Sequence, residues 1–207
     1  KVENCLFDLT AAGELGLAGL CAALEGIYGA NYQQKFALSG RWEPEMACYA
    51  GGEGWQEADL RTAGELARSV IEARNLVNRP ANMLVPEQFA QALADMVSGL
   101  PVQARIYRRD ELAEKGLGGL LTVGDSSGHP PALAVLRYNG APESKEVLGL
   151  VGKGVTVDTG GYSLKARDSM AGIKGDMAGG AAVAAAVRAL AAVGAKVNAV
   201  AVVPTCE

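Results

Sequence analysis

The sequence predicts an α/β fold: a mainly parallel or mixed central sheet flanked by helices. Three observations predict it. From residue 86 onward, helix-period and strand-like runs alternate to the end of the chain, as a sheet with helices on its faces requires. Apolar residues make up 49% of the 207, enough to bury a sizeable core. A long amphipathic run, from Trp55 or Glu57 to Asn78, has the length and pattern of a helix that could link two domains.

Each element follows from its own pattern. Residues 5–9 form a short apolar run and read as a strand. Residues 11–32 place Leu15, Leu17, Leu20, Leu24 and Ile27 at helical spacing. Residues 36–42 and 45–50 read as strands, and Gly51, Gly52 and Gly54 break the chain after them. The long helix keeps Leu60, Ala63, Leu66, Val70, Ile71 and Ala73 on one face. It ends at Asn78-Arg79-Pro80, because the residue before a proline disfavours helical dihedrals. Then come a helix over 86–98, a strand over 102–107, a short helix over 109–115 and a glycine-rich turn at 116–119. Strands over 132–138 and 147–151 flank a polar, hairpin-like segment containing Asn139-Gly140. A helix over 179–193 and a strand over 197–203 close the order. The alanine-rich helix over 179–195 carries Arg188 and reads as a core helix, not a membrane span.

Composition removes several classes of function. Nineteen Lys and Arg against 23 Asp and Glu give a net charge of −4. The basic residues do not cluster, so no footprint for nucleic acid is present. Cys5, Cys21, Cys48 and Cys206 are far apart and form no C-x-x-C pair. They read as buried free thiols of a reducing compartment, and a cytoplasmic location is expected. His129 is the one histidine and lies in a turn-like Gly-His-Pro context without a G-x-S-x-G elbow. It reads as a surface-loop residue. Gly152-Lys153-Gly154 fits neither the P-loop nor the G-x-G-x-x-G spacing.

The stretch from 151 to 180 holds charges that its apolar setting does not explain: Lys153, Asp158, Lys165 and Asp176. In open α/β sheets, ligands bind outside the carboxyl ends of strands. Carboxylates brought together in a cleft repel each other unless a cation neutralises them. A lysine in such a cluster can bind a metal as a neutral amine, its pKa depressed. A Lys153–Asp158 ion pair, with Asp176 as a helix N-terminal acid, accounts for the same residues without a metal.

The residues VGKGVTVDTGGYSLK, followed by DSMAGIKGDMAGGAA, resemble the leucine aminopeptidase family, the cytosol aminopeptidases. The family's run is close to V-G-K-G-I/V-T-F-D-S/T-G-G-x-S/N-I/L-K. Asn78-Arg79-Pro80-Ala81-Asn82 resembles its N-x-P-A-N segment, and Gly161-Tyr162-Ser163 its bacterial aminopeptidase B branch. The resemblance covers residues 58–207. It implies three segments: 1–57 as the last part of a smaller N-terminal α/β domain, 58–78 as a linker helix, and 79–207 as the first part of a catalytic domain.

The resemblance further implies an exopeptidase that uses two divalent metal ions, Zn²⁺ or Mn²⁺, to release leucine-like N-terminal residues from peptides. Lys153 and Asp176 would bind one ion, and Asp158 would bridge both. Lys165 would be the catalytic lysine, and Ile173 would line the pocket for the first side chain. Peptides are the expected partners, with no nucleic acid and no membrane, and a homohexamer is implied. Two departures are conservative or local: Val157 stands where the family has Phe, and Ala166 where it has Pro. A third is larger, because the family's N-T-D-A-E-G-R motif does not occur up to Glu207. The chain opens at Lys1 without Met, just before a strand-like run, and stops just after another. A fragment is therefore expected, one that by itself binds at most one divalent ion tightly and does not turn over. The alternative is an inactive truncated family member with a structural or interaction role.

Overall fold

The computed structural model describes residues 4–8, 18–19, 21–22, 25–26, 45–49, 56–170 and 172–207. The chain divides into two compact units, 1–71 and 72–207.

In the first unit, β1 (Asn4–Asp8) pairs in parallel with β2 (Glu45–Tyr49), Asn4 opposite Glu45 and Asp8 opposite Tyr49. Residues 18–19, 21–22 and 25–26 are helical, within the helix expected over 11–32. The strand expected over 36–42 and the glycine break after residue 50 lie outside the described residues. Helix α1 (Glu57–Asn78) starts in this unit, where buried Ala63 and Ala67 pack with half-buried Leu60 and Cys21.

The second unit follows the expected alternation. Helix α2 spans Pro86–Met96, β3 Val102–Tyr107, α3 Arg109–Glu114 and α4 Gly118–Gly124. Strands β4 (Ala132–Asn139), β5 (Leu148–Val151) and the two-residue β6 (Gly154–Val155) come next. Helix α5 (Ala178–Ala192) and β7 (Asn198–Cys206) end the chain. Helix α4 occupies part of the expected glycine-rich turn. Gly116 alone carries that turn, with φ of 70°.

The sheet is mixed, in the order β3-β4-β7-β5, with β6 also on β7. β3 and β7 run antiparallel to β4, whereas β5 and β6 run parallel to β7. The hairpin reading of 139–147 is thus overturned, because β7 inserts between β4 and β5. The cause is local. Buried Asn198, at the start of β7, donates from Nδ2 to the carbonyls of Ala141, Ser144 and Glu146, and its Oδ1 accepts from the Ala141 N–H. One side chain satisfies the turn that a strand-to-strand ladder would otherwise have closed.

Strand β7 is the axis of the core. Ala199, Ala201 and Val203 are fully buried, and Phe89 and Leu93 of α2 and Ala181, Ala184 and Val187 of α5 join the same cluster. Its partner on the parallel side is interrupted. β5 ends at Val151 opposite Val202, and β6 resumes at Gly154 opposite Thr205. In that register Lys153 falls opposite Pro204, which has no N–H to offer a ladder. Gly152 still donates to the Val202 carbonyl at 3.1 Å, and the ladder lapses at Lys153, at the carboxyl end of β5.

Candidate functional site

Three segments of the second unit bring the four charged residues together. The first is the gap between β5 and β6, which carries Lys153. Its backbone is gripped by the start of α5: the Lys153 carbonyl accepts the Gly180 N–H at 2.7 Å. A side chain at Gly180 would meet Val203 Cγ1 at 2.6 Å and the Lys153 carbonyl oxygen at 2.8 Å. Only a residue without Cβ lets the helix approach this closely. That approach sets the turn before α5, and Asp176 in it, beside Lys153.

The second segment is the loop from Asp158 to Lys165. The Asp158 Oδ1 accepts the Gly160 N–H at 3.0 Å. Gly160, Gly161, Tyr162 and Ser163 then all adopt positive φ, at 80°, 82°, 51° and 56°. Four left-handed residues in a row curl the chain back on itself, and the Lys165 N–H closes the curl on the Thr159 carbonyl at 2.9 Å. The left-handed conformation costs a non-glycine residue roughly 1–2 kcal/mol, so Tyr162 and Ser163 are strained. The third segment is the 3₁₀ turn Ile173–Gly175, which leads into Asp176.

The geometry is an alternation of charge. Lys153 Nζ lies 2.5 Å from Asp176 Oδ2 and 4.0 Å from Asp158 Oδ2. Lys165 Nζ lies 2.8 Å from the same Asp158 oxygen. Asp158 thus stands between two lysines. The Lys165 ammonium, followed by the Gly160 N–H, holds the Asp158 carboxyl below the usual carboxylate range. The hydrogen bond to Asp176 pushes the Lys153 ammonium above the usual lysine value. In this ion-paired arrangement the Lys153 amine keeps its charge. The side chain is 54% exposed, so attraction to the carboxylates outweighs desolvation. The ion-pair account changes: the close partner of Lys153 is Asp176, and that of Asp158 is Lys165.

Among the described residues, no three His, Cys, Asp or Glu side chains gather as a metal site. The donor set that does converge is two aspartates and an amine. Carboxylate oxygen with amine nitrogen suits a divalent ion such as Mn²⁺ or Zn²⁺. Lys153 would have to surrender its proton to serve as a ligand, since ligands must be deprotonated. The Lys153 amine lies within 4.0 Å of an oxygen of each aspartate, a donor set for one ion.

A cleft of about 560 Å³ opens beside Asp158, walled by Val155, Val157, Tyr162, Ser127 and Glu207 among others. Ile173, half-buried in its turn, is not one of the lining residues. Ser127 Oγ donates to Glu207 Oε1 at 2.6 Å, and His129 Nε2 lies 4.0 Å from that oxygen. His129 is exposed in a loop, as its sequence context suggests. Burial pushes the Cys206 thiol up, in keeping with an unreactive structural thiol, and Cys21 and Cys206 are both free. Sequence reading missed Ser127 and Glu207, since neither sits in a motif of its own.

Comparison with known proteins shows the family. The description of the cytosol aminopeptidase family, catalytic domain, matches residues 71–207. A probable cytosol aminopeptidase of Alkaliphilus metalliredigens is 40% identical over 151 residues, which is 73% of this chain and 30% of the relative. The chain thus spans about 30% of the length of the curated relatives it matches. Among solved structures, the bottromycin maturation enzyme BotP in complex with Mn superposes with a TM-score of 0.82 at 30% identity, over 99% of this chain and 44% of that one. The leucine aminopeptidase LAP1 of Caenorhabditis elegans gives a TM-score of 0.82 at 27% identity, over 99% of this chain and 40% of that one.

Proposed function

Since the chain belongs to the cytosol aminopeptidase family, we propose that the protein is a two-metal-dependent aminopeptidase that releases leucine-like N-terminal residues from peptides. One observation carries the reading: Lys153, Asp158, Lys165 and Asp176 converge from three separate segments. Divalent ions would supply Lewis-acid polarisation of the scissile carbonyl and a water acidic enough to attack it near neutral pH. Lys153 and Asp176 would hold one ion, and Asp158 would be shared with the second. The solved relative that holds Mn makes Mn²⁺ the first ion to try.

The chain's own residues have distinct tasks. Asp176 keeps the Lys153 amine in place by accepting its hydrogen bond; as a ligand the amine would have to give up a proton. Asp158 offers one oxygen to the Gly160 N–H and the other to Lys165, which fixes the carboxylate plane. Lys165 is the electrophile: its ammonium, at the end of the curled loop, stabilises the oxyanion of the tetrahedral intermediate. The cleft beside Asp158 leaves room for a peptide, and Ile173, outside that cleft in the turn before Asp176, would line the pocket for the first side chain. A cytoplasmic homohexamer is part of the same reading. Among the described residues, no helix is long and apolar enough to cross a membrane.

The test uses the protein as encoded, loaded with Mn²⁺ and assayed on leucine p-nitroanilide. Hydrolysis is expected, and Lys165→Ala is expected to lower kcat by about 10²–10³-fold, the usual loss for one oxyanion donor, with Mn²⁺ affinity retained. Unchanged turnover in Lys165→Ala would remove its assigned role. No turnover in the wild type would favour a non-catalytic family member instead.

A further inference from the structure

Asp176 is held in place from behind. It follows the 3₁₀ turn Ile173–Gly175, whose middle residue is Lys174. Lys174 Nζ donates to the carbonyl oxygen of Asn78 at 3.1 Å, across 96 positions of sequence, in a half-buried setting. Asn78 is the last residue of α1. Its carbonyl belongs to the C-terminal end of the helix, which Pro80 stops from continuing. The last turn of α1 has no basic residue of its own, although a cation there is favourable against the helix dipole. Arg79 follows the helix directly, and Lys174 adds a second cation from another part of the chain. The turn also packs on the same helix end: a Cβ at Gly175 would touch Val77 Cγ1 at 3.8 Å.

We propose that Lys174 is a positioning residue, a clamp that fixes the Ile173–Asp176 turn to the end of α1 and so holds Asp176 against Lys153. The inference rests on the reading of Asp176 as a metal ligand. Without the clamp the turn keeps its sequence but loses this charged anchor to α1. Asp176 then samples positions away from Lys153, and the donor set is assembled only part of the time. An ion binds more weakly to a site that is assembled for a fraction of the time, by that fraction. The chemistry of Lys165 is untouched, so saturating ion restores turnover. General loss of packing would not show that recovery.

The experiment measures the Mn²⁺ dissociation constant by calorimetry, on the protein as encoded, for Lys174→Met, Lys174→Arg, Lys174→Gln and Asp176→Asn. Lys174→Met is expected to weaken Mn²⁺ binding about tenfold, the lower end for a residue behind a ligand, with kcat recovering at saturating Mn²⁺. Lys174→Arg keeps a cationic donor and is expected within about twofold of wild type. Lys174→Gln keeps only a neutral donor and is expected to fall between, which preserves the test should the Met variant not fold. Wild-type affinity in the Met and Gln variants, beside a large loss in Asp176→Asn, would overturn the clamp alone. An Arg variant as weak as the Met variant would overturn it too. Full affinity in Asp176→Asn would instead overturn the ligand role of Asp176, and the clamp with it.

Discussion

At the scale of single residues, the site is a set of tethers. Asp158 is bound on one oxygen by a backbone N–H and on the other by Lys165. Its orientation is therefore set by the left-handed curl that follows it. Within that curl, Tyr162 is fully exposed at φ 51°, so its side chain buries nothing that would offset the strain. Glycine reaches the same dihedral without the Cβ clash, at the cost of a freer unfolded chain. Tyr162→Gly is accordingly expected to stabilise the protein by about 0.5 kcal/mol net, read as a higher urea midpoint at unchanged slope. A lower midpoint would show that the Tyr162 side chain makes a stabilising contact in the protein as encoded.

At the scale of elements, the site depends on where α5 meets the broken β5–β6 edge. Pro204 leaves the ladder open at Lys153, and the small residues at the start of α5 move into that opening. Here sequence and structure diverge instructively. Lys153, Asp158, Lys165 and Asp176 stand out as charges in an apolar run, and the family resemblance marked them as one site. Spacing could not say which carboxylate closes on which lysine, since that follows from the helix approach and the loop curl. The pairing of β5 with β7 was hidden for the same kind of reason: it turns on the Asn198 side chain, 50 or more positions from the turn it organises. Gly180→Ala tests the approach directly. A methyl group 2.6 Å from Val203 Cγ1 and 2.8 Å from the Lys153 carbonyl must push α5 outward. The expected cost is about 1–3 kcal/mol, typical of overpacking, and Mn²⁺ affinity should fall with it. A stable variant with full affinity would show that the helix can move without disturbing Asp176.

At the scale of the whole molecule, the α/β alternation and the long first helix were legible in the sequence because period and proline breaks are local signals. The family description begins at residue 71, and the compact second unit at residue 72. The four charged residues all lie inside that unit, and a metal taken up there binds the folded form alone, since the unfolded chain does not bring Lys153 and Asp176 together. Binding to the native state must then stabilise it by mass action. At about one hundred times the dissociation constant the gain is about 2.7 kcal/mol. Adding Mn²⁺ to the protein as encoded is therefore expected to raise its unfolding midpoint, and adding a chelator to reverse the rise. Asp176→Asn supplies the control for non-specific ions: it removes one donor while keeping the shape of the turn, so the same Mn²⁺ should raise its midpoint much less. An equal rise in both proteins would place the ion elsewhere and detach the cluster around Lys153 from metal binding.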